Sequence, residues 1–169
     1  MNAKHHLLIV DGNPYVAGIL EQNLRTDFAV TVAASGQEAA RLLVQGNRFD
    51  CVLTELNLPL FSGLELTKLI RTSRLMHQMP IVVLSGATDS DTRIACLEQG
   101  VDSYIAKPFN PLEVRAKLQA LLRWVGAPDE APRELTAPVR VRHAGKPLGP
   151  IRSRVLSMIL PGYTVSQSA

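Results

Sequence analysis

The amino-acid sequence predicts an α/β fold, a doubly wound, five-stranded parallel sheet with helices on both faces. Two observations carry this prediction. Over the first 125 residues, short apolar runs alternate five times with longer segments whose apolar residues recur at helical spacing. The connections are too short for antiparallel hairpins, and this alternation of strand and helix is typical of a parallel sheet.

Each strand is predicted from an apolar run that stops at polar or turn-forming residues. The first run, Leu7–Val10, is apolar at every position, as expected for a strand buried on both faces of a sheet, and it stops at Asp11. The later runs are likewise rich in Val, Ile and Leu. The predicted strands are 7–10, 28–33, 51–54, 80–84 and 103–106.

The helices are predicted from capping residues and from the spacing of their apolar residues. Asn13 followed by Pro14 is typical of an N-cap and a first helical residue, and Gly100 is typical of a helix end. In the fourth helix, the spacing predicts that Ile94 and Leu97 face the core. The predicted helices are 14–24, 35–46, 64–74, 89–100 and 111–124.

A change of composition after Gly126 divides the chain. Residues 1–126 carry 12 basic and 12 acidic side chains, whereas residues 127–169 carry six basic and three acidic ones and six of the 11 prolines. We therefore predict a domain over 1–126 and a Pro-rich basic linker or tail over 127–169, which is either flexible or the remnant of an effector domain. Its positive charge is compatible with DNA binding, which stays open.

Several classes of protein are disfavoured by the sequence. No apolar window reaches the roughly 18 residues of a membrane span, and the four apolar residues Leu7–Val10 are too few for a signal-peptide core. Cys51 and Cys96 form no CxxC pair, so we expect reduced, buried thiols in a cytoplasmic protein without membrane contact. Three histidines lack partners at ligand spacing and are expected to be solvated: His5, His6 and His77.

Polar residues follow four of the five predicted strands. Asp11-Gly12, Glu55, Ser85 and Lys107 stand at or just past the strand ends. Because the carboxyl ends of parallel strands meet at one edge of a sheet, where ligands of such folds bind, these side chains are the candidate site. The alternative is that polar residues simply follow strands by chance.

Four segments carry a resemblance to the receiver domain of two-component response regulators. They are Leu8–Asp11, Phe49–Pro59 with Gly63–Leu66, Pro80–Ala87 and Gly100–Phe109. Together they extend the likeness over residues 7 to 124. The resemblance implies a flavodoxin-like receiver fold with the strand order 2-1-3-4-5.

The resemblance also assigns roles to single residues. It places Glu55 at the phosphoacceptor position and Ser85 and Lys107 at the positions that bind the phosphoryl oxygens. It places Tyr104 at the switch aromatic, which turns inward when the hydroxyl residue is drawn over. The Lys107–Pro108 peptide is cis in that family and is expected to be cis here.

Two departures from the family concern the metal and the acceptor. The family gathers three carboxylates around Mg²⁺, whereas here the equivalent ligands are Asp11, Glu55 and the carbonyl of Asn57, because Gly12 replaces the second acid. Two carboxylates beside Lys107 leave a local charge of −1 instead of −2. We therefore expect a degenerate metal site, with no required cofactor and weak binding of Mg²⁺.

Glu55 also changes the geometry of the acceptor. Glutamate is longer than aspartate by one C–C bond, about 1.5 Å, and misplacing a reacting group by about 1 Å can slow transfer roughly a hundredfold. Glu55 is then either a partial mimic of the phosphorylated state or a buried partner of Lys107. Gly12 marks a lost metal ligand, a turn that only glycine fits, with φ above zero, or both.

These observations predict an atypical receiver domain in two-component signal transduction (a phosphorelay). We expect it to be phosphorylation-independent or constitutively switched, with no catalytic residues and no enzymatic activity. Its partner would be a histidine kinase or a downstream effector, with a possible homodimer through helix 4, strand 5 and helix 5. The alternative is a transcriptional regulator whose DNA-binding effector is reduced to the basic C-terminal segment. A nucleotide- or flavin-binding enzyme is disfavoured, because no Gly-rich loop follows the first strand.

Overall fold

The central sheet is parallel throughout and has the order expected from the sequence. The computed structural model describes residues 3–125 and two short strands, 142–143 and 146–147. Neighbouring strands pair in parallel in the order β2-β1-β3-β4-β5, which confirms the predicted fold class. The strands are β1 (His5–Val10), β2 (Phe28–Ala33), β3 (Cys51–Glu55), β4 (Ile81–Ser85) and β5 (Ser103–Ala106).

One helix follows each strand of this sheet. The side-chain oxygen of Asn13 accepts the N–H groups of Tyr15 and Val16 and so begins α1 as an N-cap. Ser62 and Glu65 form a reciprocal capping box at the start of α3. The helices are α1 (Pro14–Leu24), α2 (Gly36–Val44), α3 (Gly63–Thr72), α4 (Ser90–Glu98) and α5 (Pro111–Val125).

The core lies on both faces of the sheet. In β1, Leu8 and Val10 pack on the side of α2 and α3, whereas Leu7 and Ile9 pack on the side of α1 and α5. All four side chains are fully buried, as predicted from the unbroken apolar run. This two-sided burial fixes the strands, and with them the positions of the residues that follow each strand.

The prediction that Ile94 and Leu97 of α4 face the core is wrong. Each side chain is 51% exposed, and the buried residue of the helix is Cys96. The helix touches the domain along a narrow stripe formed by the partly buried Thr92 and the fully buried Cys96, one turn apart, so neighbouring positions point outward. An apolar surface on α4 is therefore left open.

His6 also departs from the expectation of a solvated side chain. It is half-buried, its Nε2 lies 2.8 Å from the Thr31 hydroxyl, and its ring centroid lies 4.7 Å from that of Phe49. His5 and His77 are exposed, as expected.

The chain divides into two compact units, Met1–Pro128 and Asp129–Ala169. In the second unit, β6 (Arg142–His143) and β7 (Lys146–Pro147) pair antiparallel. The prediction of a linker or tail over 127–169 otherwise falls outside the described residues. Among the described residues, no helix combines the length and the apolar character that crossing a membrane requires.

Candidate functional site

The candidate residues meet at the carboxyl edge of the sheet. The N–H of Asp11 donates to the Ala33 carbonyl at 3.2 Å, and the N–H of Lys107 donates to the Ser85 carbonyl at 2.8 Å. These hydrogen bonds extend the ladders by one residue and hold both side chains beside the end of β3, where Glu55 lies. Asp11, Glu55, Ser85 and Lys107 thus share one edge, as the order of strands predicts.

Lys107 lies between two buried carboxylates. Its ammonium donates a hydrogen bond to Oε2 of Glu55 and lies 3.5 Å from Oδ2 of Asp11. Asp11 is 5% exposed and Glu55 8% exposed, so water screens this cluster weakly. The other oxygen of Glu55, Oε1, accepts the N–H of Asn57 at 3.2 Å. Both oxygens of Glu55 are therefore engaged within the protein.

The two oxygens of Asp11 have different surroundings. Oδ1 accepts the N–H of Asn13 at 2.8 Å. Oδ2 is buried and has no hydrogen-bond donor among the described residues, although the Lys107 ammonium is near. A buried carboxylate oxygen in this position has only the charge of the ammonium to offset its lost hydration.

The electrostatics of the cluster keep Lys107 charged. Burial alone would lower the pKa of Lys107, but the hydrogen bond and the negative charge of Glu55, together with Asp11, outweigh it and raise that pKa above its ordinary value. One ammonium against two carboxylates leaves a formal charge of −1 if both acids are ionised.

The position of Gly12 has room for a Cβ atom. Its φ lies outside the left-handed region, which among the described glycines is occupied by Gly46 and Gly100. A Cβ added at Gly12 would have the Ala34 carbonyl oxygen as its nearest neighbour, at an ordinary contact distance of 3.4 Å. The interpretation that only glycine fits this turn is therefore wrong, and the missing acid is not a demand of the backbone.

The residues present do not fit a resident Mg²⁺. This ion takes oxygen ligands in near-octahedral geometry, usually including carboxylates. Gly12 offers no side-chain oxygen, and both oxygens of Glu55 are engaged. Residues 3–125 contain no group of three acidic, His or Cys side chains placed to hold a metal. Of the ligands suggested by the sequence, Asp11 and Glu55 face the ammonium of Lys107, and Asn57 donates its N–H to Glu55.

Ser85 and Tyr104 form their side-chain hydrogen bonds with the loop after β4. The Oγ of Ser85 accepts the N–H of Ala87 at 3.1 Å, and the Tyr104 hydroxyl donates to the Ala87 carbonyl. Tyr104 is half-buried, and the guanidinium of Arg93 stands 5.6 Å from its ring centroid. The Lys107–Pro108 peptide is cis, as expected.

Three contacts of the site were missed by the sequence analysis. Asn13 and Asn57 act through their backbone N–H groups, which no motif distinguishes from any other backbone donor. Arg93 reaches Tyr104 across ten residues, and only the orientation of α4 brings the two together.

This fold and this edge of the sheet define a class of protein. The family model described as the response regulator receiver domain matches residues 7–119. The chain belongs to that family, as the resemblance implied.

The curated relatives are named as transcriptional regulatory proteins. The chain is 33% identical over 163 residues to the phosphate regulon transcriptional regulatory protein PhoB of Pseudomonas aeruginosa, a match that covers 91% of this chain and 71% of PhoB. It is 36% identical over 122 residues to the transcriptional regulatory protein PrrA of Mycobacterium tuberculosis, covering 72% of this chain and 51% of PrrA. The chain thus spans about half the length of PrrA.

Solved receiver structures share the fold. A response regulator of Chloroflexus aurantiacus is 36% identical, with a TM-score of 0.68, and covers 72% of this chain and 99% of its own. The receiver domain of the sensor histidine kinase PA1611 of Pseudomonas aeruginosa is 31% identical, with a TM-score of 0.65 and the same coverage. That second structure holds a magnesium ion in its active-site cleft.

Proposed function

We propose that this chain is an atypical receiver domain in two-component signal transduction that acts without phosphorylation of Glu55. The observation that carries the proposal is the engagement of both Glu55 oxygens, one by the Lys107 ammonium and one by the Asn57 N–H. Phosphoryl transfer requires an acceptor oxygen that is free and in line with the phosphorus. Glu55 must break one of these contacts before it can react.

The contacts also favour one of the two interpretations of Glu55. A mimic of the phosphorylated state would be expected to engage Ser85, which binds a phosphoryl oxygen in the family. The Oγ of Ser85 instead accepts the Ala87 N–H. Glu55 is therefore better explained as the buried partner of Lys107. The charge of a carboxylate also argues against mimicry, because a single negative charge is only about half of the −1.5 to −2 that a phosphate carries.

Signalling would then depend on protein contact. The surface of α4, β5 and α5 exposes half of Ile94 and of Leu97 beside Arg93 and the half-buried Tyr104. Exposed apolar side chains next to a charged one are typical of a site that binds another protein. A histidine kinase, a downstream effector or a second copy of the chain are the partners we propose for this surface.

The proposal includes neither an enzymatic activity nor a required cofactor, and it expects weak binding of Mg²⁺. It places the protein in the cytoplasm. Cys51 and Cys96 support this location, because they are buried free thiols that pack on opposite faces of the sheet and cannot form a disulfide with each other.

Incubation with acetyl phosphate and Mg²⁺ tests the proposal. Intact-mass measurement should show no added phosphoryl group on the wild-type chain or on Glu55→Asp, because Gly12 still lacks its carboxylate. The double variant Gly12→Asp, Glu55→Asp should be phosphorylated. A phosphoryl group on Glu55 of the wild type would overturn the proposal, and equal labelling of the single and double variants would overturn its explanation.

A second candidate function is transcriptional regulation through DNA. The match to PhoB extends over 91% of the chain, well beyond residues 7–119, and the residues after 126 carry a net positive charge. A mobility shift on DNA that weakens with salt and disappears when 127–169 are deleted would support it. Equal retardation of the full and the shortened chain would reject it.

A further inference from the structure

We propose that a groove at the amino end of the sheet is a self-association surface, through which two copies of this chain form a two-fold dimer. The groove has a volume of about 990 Å³ and is lined by the ends of α2, α3 and α5 and by the loops that lead into β3 and β4. It lies at the edge of the sheet opposite to Glu55 and Lys107, and it is separate from the surface of α4, β5 and α5. The inference therefore goes beyond the proposed function.

The groove combines an apolar floor with apolar side chains that project at its rim. Leu75 is 97% exposed, and Val44 and Val125 are also exposed. Apolar side chains gathered around an apolar recess, with flexible methionines among them, are typical of a surface that binds another protein. The floor consists of buried or partly buried side chains, namely Leu43, Leu69, Met76 and Met79.

The shape of this surface favours a second copy of the chain as its occupant. The same face carries a projecting apolar side chain, Leu75, and a recess large enough to receive one. In a two-fold dimer the same patch is used on both subunits, so a projection and a recess on one patch are each matched twice. Leu75 of each copy would be buried in the groove of the other.

The charges at the rim are also complementary to themselves. The Lys, Arg, Asp and Glu side chains among the described lining residues are Arg48 and Asp50, both exposed. Arg48 has no ion-pair partner within the described part of the chain, and Asp50 accepts the N–H of His6 through Oδ2. Two copies would meet without net repulsion, and Arg48 of each could pair with Asp50 of the other. A strongly acidic or basic partner would gain no net attraction from this rim.

The loop that carries Leu75 and Met76 is held in place within the monomer. Arg71 donates to the carbonyls of His77 and Met79, at 3.0 and 2.7 Å. The N–H of Met79 also donates to the Met76 carbonyl at 2.9 Å. Because the loop is already ordered, little conformational entropy is lost when two copies associate.

Sedimentation velocity of the full chain, from about 1 to 300 µM, tests the inference. Seventeen described residues line the groove, slightly fewer than the roughly 20–30 a side of a stable interface, so we expect a reversible dimer in the micromolar range. Leu75→Glu should weaken association by at least about tenfold, because it would place a charge in an apolar groove. The matched control is Leu60→Glu, which changes an exposed leucine outside the groove and should associate like the wild type.

A mixing experiment distinguishes a second copy from any other occupant. Arg48→Asp and Asp50→Arg should each self-associate about tenfold less than the wild type, because each brings like charges together twice in the two-fold dimer. An equimolar mixture of the two variants should recover the dimer, since every contact between the copies then joins Asp to Arg. This recovery also shows that both variants are folded.

The outcomes that would overturn the inference are distinct. A wild type that stays monomeric over the whole range would assign the groove to a different occupant. A dimer that Leu75→Glu leaves intact while Leu97→Glu on α4 disrupts it would move the interface to α4. A mixture that associates no better than either charge variant alone would reject the two-fold arrangement. None of these results depends on the phosphorylation of Glu55, which decides the proposed function.

Discussion

The two ends of the central sheet each hold a partly buried cation, and they satisfy it in different ways. At the amino end, Arg71 of α3 donates through all three guanidinium nitrogens, at 2.7 to 3.0 Å, and Asp102 accepts from both Arg71 and the Ile81 N–H. The acceptors of the Arg71 guanidinium are the carbonyls of Gly100, His77 and Met79 and the carboxylate of Asp102. Each partner at this end is satisfied, as expected for a structural connection between two loops.

The carboxyl end leaves more unsatisfied. Lys107 faces two carboxylates, and one oxygen of Asp11 has no hydrogen bond among the described residues. Leu60, in the loop after β3, has a φ of 68°, whereas at the amino end left-handed positions are occupied by Gly46 and Gly100. The amino end follows the usual rules of local structure and the carboxyl end departs from them. Such departures are typical of functional sites, which give up stability for chemistry or for switching.

The sharpest test of this comparison is the removal of Arg71. Arg71→Met should lower the free energy of unfolding by about 3–5 kcal/mol, because it leaves three carbonyls without this donor and removes one of the two donors to the carboxylate of Asp102. Arg71→Lys keeps the charge but not the forked geometry, so it should recover only part of the loss. Urea unfolding monitored by circular dichroism gives both values. A loss below about 1 kcal/mol for Arg71→Met would mean that this end is not held by the guanidinium.

Glu55→Gln should have a smaller effect at the opposite end. We expect a loss of about 1.5–3 kcal/mol, because the ammonium of Lys107 keeps Asp11 as a partner at 3.5 Å. Denaturant unfolding and sedimentation velocity should be measured together on the wild type, Glu55→Gln and Glu55→Asp. If Glu55 were instead a mimic of the phosphorylated state, Glu55→Gln should change the free energy of unfolding by less than about 1 kcal/mol and should weaken self-association.

Alkaline pH should lower the stability of the fold through Cys51 of β3 and through Lys107, which follows β5. Burial, reinforced by the charge of Asp50, raises the pKa of Cys51 to about 12 from 9.0, and the pKa of Lys107 is raised from 10.5. Because both pKa values are higher in the folded state, the stability that they contribute is complete below the unfolded values and is lost as the pH rises through the folded ones. The free energy of unfolding should therefore begin to fall near pH 9 through the thiol and fall more steeply above about pH 10.5, where Lys107 adds to it, by about 1.4 kcal/mol per pH unit for each group. Burial also raises the pKa of Cys96 from 9.0, so in Cys51→Ala the fall should still begin near pH 9 but with a smaller slope, and a slope unchanged from the wild type would contradict the assignment to Cys51.

The smallest expected effect concerns Leu60. Leu60 has a φ of 68°, which places its backbone in the strained left-handed region. Its side chain is 87% exposed, so apolar burial does not offset this strain. Leu60→Gly should raise the free energy of unfolding by about 0.5–1 kcal/mol, after allowance for the greater freedom of glycine in the unfolded chain. Gly46→Ala is the matched control at the amino end, since an added Cβ there meets nothing within 4 Å and should lower stability through backbone strain alone. Destabilisation by Leu60→Gly would show that the leucine side chain makes a contribution of its own.

The sequence allowed the strands, their order and the convergence of the site residues to be predicted, because these depend on periodicity and on a motif pattern. The orientation of α4 was mispredicted, since the apolar spacing of Ile94 and Leu97 does not reveal how narrow the stripe of contact is. Arg71 gave no signal, because its acceptors are mostly backbone carbonyls, from the loop that follows α3 and from the loop at Gly100. The free oxygen of Asp11 depends on distances of a few ångströms that no spacing encodes.

The open space at Gly12 has a consequence for protein engineering. A Cβ added there would meet the Ala34 carbonyl oxygen at 3.4 Å and no other atom within 4 Å, so a substitution does not have to displace a neighbouring side chain beside the backbone. If the proposed function holds, the wild type and the double variant Gly12→Asp, Glu55→Asp would form a matched pair of silent and responsive receivers that differ at two residues.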